Sequence, residues 1–433
     1  MEAPWQAAGP PSYEFELQSV AEFWSCKFQP CQRPCLMVTR LAILSTHPIQ
    51  YNAPAFRSLA ARADLDVHVF YEWRGPASSI DPEFGRRVEW DVPLLDGYEF
   101  TFLPNAARNP GSHHFRGIDN PSVVESVRRW VPDSLLVYGW AFASHLRVLR
   151  ALHGEMNVIF RGDSTLLDHQ RFERRLARRA FLRWVYRHID TALYAGTLNH
   201  KYFREHGVRE DQLVWAPHAV DNDRFAADSE SRQTEAQVCR RKLGIRDDEL
   251  VFMLPAKLVP GKDPWTLLRA FTELRRSAPD RAAHLLFVGD GELANALRAE
   301  SAGRADVHFL GFQNQSRMPV VYRMADVVVL PSLSETWGLS INECMACSRP
   351  AIVSDRVGCG VDLIRSGQTG FVFEHGDPVS LKRAMTKFFE QDQLAAEMGR
   401  TAYRLIKDWS IDAYARSVAK TALSASAGQH AEE

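Results

Sequence analysis

The fold of this 433-residue chain is decided by residues 327–343, which read VVVLPSLSETWGLSINE. The apolar run at 327–330 predicts a buried parallel strand, and the proline and serine after it predict that the chain leaves the sheet in a loop. Glu343 then opens a helical pattern. Glu335 and Glu343 are therefore predicted at the carboxyl end of a strand and in the first turn of the next helix, the edge at which open α/β sheets bind ligands.

The turn between the two glutamates places backbone N–H groups near Gly338 and Leu339 at the positive end of a helix. Carboxylates bind hydroxyl groups and such amides bind phosphates, so the pattern is typical of a site for a ligand that carries both. A nucleotide sugar is such a ligand. The alternative is a solvated carboxylate at Glu335 and, at Glu343, a glutamate favoured only by the helix dipole.

Residues 327–343 resemble the Glu-x7-Glu signature of retaining glycosyltransferases with the GT-B fold, in particular glycosyltransferase family 4. The resemblance covers residues 220–410 strongly and the first half more loosely. It implies that Glu343 binds the ribose hydroxyls of a nucleotide and that Glu335 faces the donor sugar. It also implies that four backbone amides meet the sugar and the diphosphate, at Trp337, Gly338, Leu339 and Ser340.

The composition is that of a globular protein, with 45% hydrophobic and 24% charged residues and a formal net charge of −1. A dedicated nucleic-acid binder would carry a basic excess, so we expect no nucleic-acid partner. No apolar run approaches the ~18 residues that span a bilayer, and the first 36 residues lack the pattern of a secretory signal. Seven irregularly spaced cysteines favour reduced thiols and a cytoplasmic location over a disulfide framework.

Residues 1–36 are predicted to be a disordered leader, because they are rich in proline and have no periodicity. Cys26, Cys31 and Cys35 lie in it at spacings that do not match a zinc site, so we interpret them as free thiols. Met37 directly precedes the first predicted strand, which suggests the hypothesis that translation starts there. Mass spectrometry of the native N-terminus tests this hypothesis.

Strands and helices alternate along the rest of the chain, which predicts an α/β protein with two doubly wound, Rossmann-like domains. The polar stretch at 222–235 is interpreted as helix-poor and as the boundary, giving domains at 37–220 and 221–408. By resemblance to GT-B enzymes, a final helix at 409–425 returns to cap the first domain. The predicted strands are 41–45, 65–70, 134–138, 157–160, 191–194, 250–254, 285–288, 307–310, 327–330, 351–354 and 370–373.

Two lysines follow the first strand of the second half, and the resemblance aims both Lys257 and Lys262 at the donor diphosphate. Cations there would stabilise the negative charge that develops on the departing nucleotide. The alternative is a pair of solvated surface lysines. The resemblance also places the turn with Gly289 and Gly291 beside the nucleotide, and Phe312 against its base, although a core aromatic remains equally open for Phe312.

Three side chains of the first half are predicted on the acceptor side of a cleft between the domains: His47, Tyr138 and Asp163. Capping or packing is the open alternative for His47, and capping of the next helix is the default for Asp163. His218 resembles part of a family segment that braces the hinge, so we interpret it as structural. Because no acidic D-x-D motif follows a strand, the prediction is metal-independent transfer without a cofactor.

A basic segment at 169–190 contains seven arginines interleaved with aromatic and aliphatic residues. Such a segment can lie as an amphipathic helix on an anionic membrane surface, which would place the protein on the inner face of the cytoplasmic membrane and favour a lipid-linked acceptor. A solvated helix with one packed side is the equally open alternative.

The resemblance implies a hexosyltransferase that moves a sugar from a nucleotide diphosphate sugar to an acceptor hydroxyl with retention, in bacterial polysaccharide or glycoconjugate synthesis. Glu335, Lys257 and Lys262 are its expected catalytic residues. Two alternatives stay open: a nucleotide-sugar 2-epimerase of the same fold, and a non-catalytic nucleotide-sugar-binding partner of another transferase.

Overall fold

The computed structural model describes residues 38–75, 89–167 and 172–429. The predicted leader and its three cysteines lie outside the described residues, so the hypotheses about them remain predictions. The described chain forms two lobes, each built on one parallel sheet with helices on both faces. This is the α/β architecture with two Rossmann-like units that the sequence predicts.

The first lobe contains a seven-stranded sheet with the order β3-β2-β1-β4-β5-β6-β7. Its strands are β1 (Thr39–Ser45), β2 (Leu65–Tyr71), β3 (Glu99–Phe102), β4 (Ser134–Tyr138), β5 (Asn157–Arg161), β6 (Thr191–Tyr194) and β7 (Leu213–Trp215). Its helices are α1 (Ala53–Ala60), α2 (Val123–Trp130), α3 (Ala143–Leu152), α4 (Phe172–Val185) and α5 (Thr197–Glu205). The strand order reverses between β1 and β4. The carboxyl ends of these two strands face the second lobe, so the loop that follows β1 lies at the cleft.

Two helices follow the first lobe where the sequence predicts a helix-poor boundary, namely α6 (Asn222–Ala226) and α7 (Ser229–Lys242). The interpretation of 222–235 as helix-poor is therefore wrong, whereas the domain boundary placed there stays a prediction. The surface of α7 is almost wholly polar, and Ala236 and Arg240 are its buried residues. Because so few residues of α7 are apolar, the sequence shows no helical period.

The second lobe contains a six-stranded sheet with the order β10-β9-β8-β11-β12-β13. Its strands are β8 (Leu250–Pro255), β9 (Ala283–Val288), β10 (Val307–Gly311), β11 (Val327–Leu330), β12 (Ala351–Ser354) and β13 (Gly370–Phe373). Its helices are α8 (Pro264–Ser277), α9 (Ala294–Glu300), α10 (Met318–Arg323), α11 (Leu339–Ala346), α12 (Gly360–Leu363), α13 (Pro378–Glu390) and α14 (Leu394–Ile406). All four residues of β11 are buried, as expected for a central parallel strand.

The last helix, α15 (Ile411–Gln429), packs on the first lobe although it follows the second in sequence. Tyr414, Val418 and Ala422 belong to the same buried cluster as Ile43 of β1 and Phe56 of α1. The chain therefore passes between the lobes twice, and both passages lie beside the cleft. Among the described residues, no helix combines the length and the apolar character that crossing a bilayer requires.

Candidate functional site

A cavity of about 510 Å³ lies at the carboxyl ends of the second lobe's strands, where that lobe faces the first. Lys257, Lys262 and Glu335 line it together with residues 338–340. Two sequence motifs that lie about eighty positions apart are thus brought to one space, as expected because the carboxyl ends of parallel strands meet at one edge of the sheet. The remaining lining residues are Tyr51, Asp163, His218, Pro255, Ala256, Val259, Leu330, Thr336 and Trp337.

Lys262 and Glu335 form an ion pair within this cavity. Their side chains are 26% and 18% exposed, so solvent reaches both groups only in part. Backbone bonds fix the loops that carry them, because Leu333 N donates to Gly261 O at 2.9 Å and Glu335 N donates to Arg356 O at 3.1 Å. The pair therefore holds one cation and one anion in the same wall of the cavity.

Lys257 is positioned by the two loops that follow β8 and β9. Ala256 N donates to Val288 O at 3.0 Å, and a Cβ atom added to Gly289 would lie 2.1 Å from the carbonyl oxygen of Ala256. Gly289 and Gly291 also adopt φ values of 142° and 156°, which favour glycine. Neither glycine lines the cavity, so the structure shows them supporting the loop of Lys257, and their predicted place beside a ligand stays a prediction.

The N-terminus of α11 opens into the cavity through Gly338, Leu339 and Ser340. Gly338 precedes the helix with φ of 99°, and a Cβ atom there would lie 3.0 Å from Leu330 Cδ2. This left-handed turn aims the first helical N–H groups and the positive end of the helix at the space beside Lys262. Such amides together with two ammonium groups form a site suited to phosphates.

Glu343 lies beneath the cavity and is only 2% exposed. Tyr322 donates to its Oε2 at 2.5 Å, whereas Oε1 is buried without a hydrogen-bond partner. Burial raises the pKa of Glu343 to about 7, although the hydrogen bond of Tyr322, the charge of Arg224 and the hydroxyl of Tyr51 act in the opposite direction. A carboxyl group at this position can bind a hydroxyl group of a ligand once a neighbouring side chain moves away. The role of Glu343 toward a ligand stays a prediction.

A row of aromatic rings runs from the cavity to the passage between α14 and α15. The indole of Trp337 packs against the rings of His218 and Trp409, with centroid distances of 5.6 Å and 5.0 Å. Trp409 in turn meets Trp215 edge-on at 5.5 Å. Trp337 is 4% exposed and its Nε1 donates to Asn342 Oδ1 at 2.9 Å. Trp337 therefore connects the cavity wall with the junction of the lobes.

Asp163 meets the second lobe across the cleft. Its Oδ2 lies 3.7 Å from His218 Nε2 and accepts a hydrogen bond from Thr336 Oγ1 at 3.3 Å. No helix begins in the described residues that directly follow it, up to residue 167, so the capping alternative is wrong. His218, interpreted from the sequence as a brace, lines the cavity beside it.

The other predicted first-lobe residues lie outside the lining of this cavity. The His47 ring bonds Thr46 Oγ1 at 2.9 Å, and burial lowers the pKa of His47 to about 4. The Tyr138 hydroxyl bonds that of Tyr414 in α15. Phe312 of the second lobe packs against Trp90 with a centroid distance of 6.2 Å. The roles of these three residues toward a ligand stay predictions.

Sequence reasoning missed Tyr51, which lines the cavity and reaches Glu343 from the other lobe. Its position two residues before α1, in the loop that follows β1, is the signal that points to the cleft. Its pairing with Glu343 has no counterpart in any local pattern, because the two residues belong to different lobes.

Residues 236–405 match the family model described as glycosyl transferases group 1. The chain is 31% identical over 184 residues to the putative glycosyltransferase EpsD of Bacillus subtilis, a match that covers 42% of this chain and 46% of EpsD. It is 31% identical over 210 residues to the GDP-mannose-dependent alpha-(1-6)-phosphatidylinositol monomannoside mannosyltransferase of Mycolicibacterium smegmatis, covering 46% of this chain and 52% of that enzyme. The chain thus spans about half the length of the curated relatives it matches.

Solved structures resemble the model over nearly all of its length. HepE of Anabaena, crystallised with UDP, aligns with a TM-score of 0.67 at 16% identity and covers 89% of this chain and 100% of HepE. WaaG, a glycosyltransferase involved in lipopolysaccharide biosynthesis, aligns with a TM-score of 0.62 at 15% identity, covering 88% and 98%. These neighbours show that the chain has the GT-B fold.

Proposed function

We propose that this chain is a glycosyltransferase that moves a sugar from a nucleotide diphosphate sugar to an acceptor hydroxyl. The observation that carries the proposal is the convergence of Lys257, Lys262, Glu335 and the N-terminus of α11 on one cavity at the cleft. The group 1 match over 236–405 contains all of these residues. The relatives that share this region are named glycosyltransferases, which supports the same activity.

The proposed donor places its diphosphate against Lys257, Lys262 and the amides of residues 338–340. When the bond from the anomeric carbon to the diphosphate breaks, negative charge grows on the leaving oxygen. Ammonium groups and a helix N-terminus that are already in place stabilise this charge more than they stabilise the ground state. The same positive charge supports the proposal that transfer needs no metal ion.

The two carboxylates are proposed to bind hydroxyl groups of the donor. Glu335 faces the sugar ring. Its ion pair with Lys262 weakens when the diphosphate binds the ammonium group. Glu343 binds the ribose, which requires the Tyr51 side chain to withdraw because it lies against the same carboxylate. Phe312 and the loop of Gly289 and Gly291 are proposed to lie on the nucleotide side.

Transfer is proposed to proceed with retention. The acceptor oxygen forms its bond to the anomeric carbon while the bond to the diphosphate breaks, and the proton of the acceptor hydroxyl passes to the leaving diphosphate. No covalent intermediate on the enzyme is required. Closure of the cleft excludes water and aligns the reacting groups.

The acceptor is proposed to be a sugar or a lipid-linked sugar of bacterial polysaccharide or glycoconjugate synthesis, presented at the inner face of the cytoplasmic membrane. Helix α4 supports this proposal, because Leu176, Phe181 and Trp184 are 58%, 37% and 37% exposed on it. Exposed arginines 174, 175 and 183 flank these apolar groups. A helix with apolar and cationic groups on one exposed side suits the surface of an anionic bilayer.

Release of UDP, GDP or ADP from a panel of sugar donors, with and without candidate acceptors, tests the proposed activity. We expect one donor to be consumed, and Lys262→Ala to raise the barrier by ~2–4 kcal/mol, the scale of losing one group that stabilises a developing oxyanion. Lys242→Ala, a change of an exposed lysine on α7, is the matched control.

Three outcomes decide between the alternatives. A Lys262→Ala protein with full activity would remove the proposed role of that lysine. Conversion of the donor sugar to its epimer without any acceptor would identify an epimerase. Nucleotide binding without turnover of any donor would identify a non-catalytic binding protein.

A further inference from the structure

His218 and Asp163 form an imidazole–carboxylate pair in the wall of the cavity that also contains Lys257 and Lys262. Asp163 follows β5 in the first lobe, and His218 belongs to the connection between β7 and α6. Their closest atoms, Nε2 and Oδ2, are 3.7 Å apart, which is an ion-pair distance but too long for a direct hydrogen bond. The pair is separate from the lysines and amides assigned to phosphates.

The His218 ring is held in place from two sides. The ring lies 5.6 Å from the indole of Trp337, tilted by 46°, and the backbone carbonyl oxygen of His218 accepts a hydrogen bond from Asn342 Nδ2 at 2.9 Å. Asn342 is fully buried and is itself fixed by the indole N–H of Trp337. These contacts restrict the backbone and the ring of His218, and a group that orients a substrate must be restricted in this way.

The electrostatics of the pair favour a neutral imidazole beside a charged carboxylate. Burial lowers the pKa of His218 and outweighs the nearby carboxylate of Asp163. Burial raises the pKa of Asp163, but the contacts of His218, Arg161 and Thr336 outweigh it and lower that pKa to about 2. At neutral pH the carboxylate is therefore ionised and the ring is uncharged.

The carboxylate also selects the tautomer of the ring. His218 Nε2 is buried next to Asp163, whereas the side chain as a whole is 22% exposed. A carboxylate beside Nε2 favours the proton on that nitrogen and leaves Nδ1 as a hydrogen-bond acceptor. The ring, which lines the cavity, thus offers an acceptor to a ligand there.

A hydroxyl group fits this wall better than a phosphate does. The ionised Asp163 repels an anionic diphosphate, and a neutral ring adds no charge that would attract one. Lys257, Lys262 and Glu335 are the other charged groups that line the cavity. Lys257, Lys262 and the N-terminus of α11 bind a diphosphate better than this pair does. A neutral polyol is therefore the ligand expected against His218.

We infer that His218, oriented by Asp163, binds the acceptor hydroxyl and directs its oxygen at the anomeric carbon of the donor. This inference rests on the proposed function and names the residue that positions the nucleophile. The hydroxyl donates its hydrogen bond to His218 Nδ1 while its oxygen forms the new glycosidic bond. As the bond to the diphosphate breaks, the diphosphate takes the electron pair, and the hydroxyl proton passes through His218 Nδ1 to the diphosphate, so the enzyme returns to its starting state.

Steady-state transfer measurements on His218→Ala, His218→Asn and Asp163→Asn test the inference. We expect His218→Ala to lower kcat/KM for the acceptor about 10- to 100-fold, the loss for one buried hydrogen bond to a substrate. The Kd for the donor nucleotide should change less than threefold. His218→Asn should recover part of the loss, because an amide oxygen can accept the same hydrogen bond, and added imidazole should partly rescue His218→Ala.

A second histidine–carboxylate pair provides the matched control. His200 Nε2 lies 2.9 Å from Glu210 Oε1 in the first lobe, and its side chain is 27% exposed, close to the value for His218. Neither residue lines the cavity. His200→Ala and Glu210→Gln should leave the kinetic constants for donor and acceptor unchanged.

The outcomes separate this inference from the proposed function. Unchanged kcat/KM for the acceptor in His218→Ala would overturn the inference. Donor affinity and acceptor kcat/KM could instead fall equally, without rescue by asparagine or imidazole. That result would mean that His218 only braces the lobes, and it would also overturn the inference. A wild-type protein that consumes no donor would instead refute the proposed function.

Discussion

The ammonium group of Lys262 and the carboxylate of Glu335 are paired inside the cavity, although the two residues lie on loops after different strands. A charged ligand therefore meets a site in which one cation is partly neutralised. In the proposed complex, a diphosphate competes with Glu335 for Lys262, and a sugar hydroxyl competes with Lys262 for Glu335. Binding of both parts of one donor would then release both groups together, which would favour the intact donor over its fragments.

Glu335→Gln should strengthen the binding of the nucleoside diphosphate alone, by about 3- to 10-fold, because it removes the competing carboxylate. The same change should strongly reduce transfer, since the sugar loses its carboxylate partner. Isothermal titration with the nucleoside diphosphate and a transfer assay on the same preparation check both effects. Glu374→Gln, a change of an exposed glutamate, is the control. Weaker binding of the nucleoside diphosphate would contradict the competition.

Gly289→Ala should destabilise the protein by about 3 kcal/mol, because the new methyl group meets the Ala256 carbonyl oxygen and the backbone conformation disfavours a side chain. Denaturant unfolding measures the change in the free energy of unfolding. Gly261→Ala is the matched control, since a Cβ atom there has no neighbour within 4 Å. Equal effects of the two substitutions would show that the loops after β8 and β9 do not touch as described.

The pKa of Glu343, raised to about 7 by burial, makes the stability of the protein depend on pH. Below the ordinary pKa of a glutamate, about 4.3, the carboxyl group is protonated in both the folded and the unfolded state. As the pH rises toward 7, the unfolded chain gains by ionising first, so stability is lost across this window. Relative to Glu343→Gln, the wild type should lose about 3 kcal/mol between pH 4 and pH 7.

Unfolding curves of the wild type and Glu343→Gln at several pH values check this prediction. The difference between the two proteins removes the contribution of all other titrating groups that behave alike in both. A constant difference from pH 4 to pH 7 would mean that Glu343 has the same pKa in the folded and the unfolded protein.

Leu176→Ser on α4 should weaken binding to anionic vesicles about tenfold at low salt, because Leu176 is more exposed than Phe181 and Trp184 of that helix. Co-sedimentation with vesicles that contain phosphatidylglycerol measures the binding. Val379→Ser on α13 is the control, since its 64% exposure matches the 58% of Leu176 on the other lobe. Wild-type protein that stays in the supernatant at low salt would refute the proposed membrane surface.

The strands could be predicted where they are buried on both faces. The apolar runs at 134–138, 191–194, 327–330 and 351–354 coincide with strands at the same residues, because a central parallel strand needs apolar groups on every residue. Strand β3 was not predicted, since its residues Glu99–Phe102 are alternately exposed and partly buried at the edge of the sheet. A polar helix such as α7 has too few apolar residues to leave a periodic signal, and the alternation in β3 runs over only four residues.

Some features of the candidate site could likewise be predicted from the sequence, and others could not. Lys257, Lys262 and Glu335 could be predicted to share a cavity, because each follows a strand of one parallel sheet and the strand ends define one edge. The contacts of Glu343 with Tyr51, and of Asp163 with His218, could not be predicted. They depend on how the first lobe, the connection and the second lobe meet, and no local sequence pattern encodes that geometry.

The aromatic row from His218 to Trp215 gives the protein a built-in optical probe. Trp337 belongs both to the cavity wall and to this row, and its ring centroid is 5.0 Å from that of Trp409. The emission of indoles this close together depends on their separation, which the proposed closure of the cleft would change. The chain contains 11 tryptophans, and subtracting the spectrum of Trp337→Phe isolates this signal from the others. Stopped-flow fluorescence can therefore follow the motion of the lobes in real time without a label.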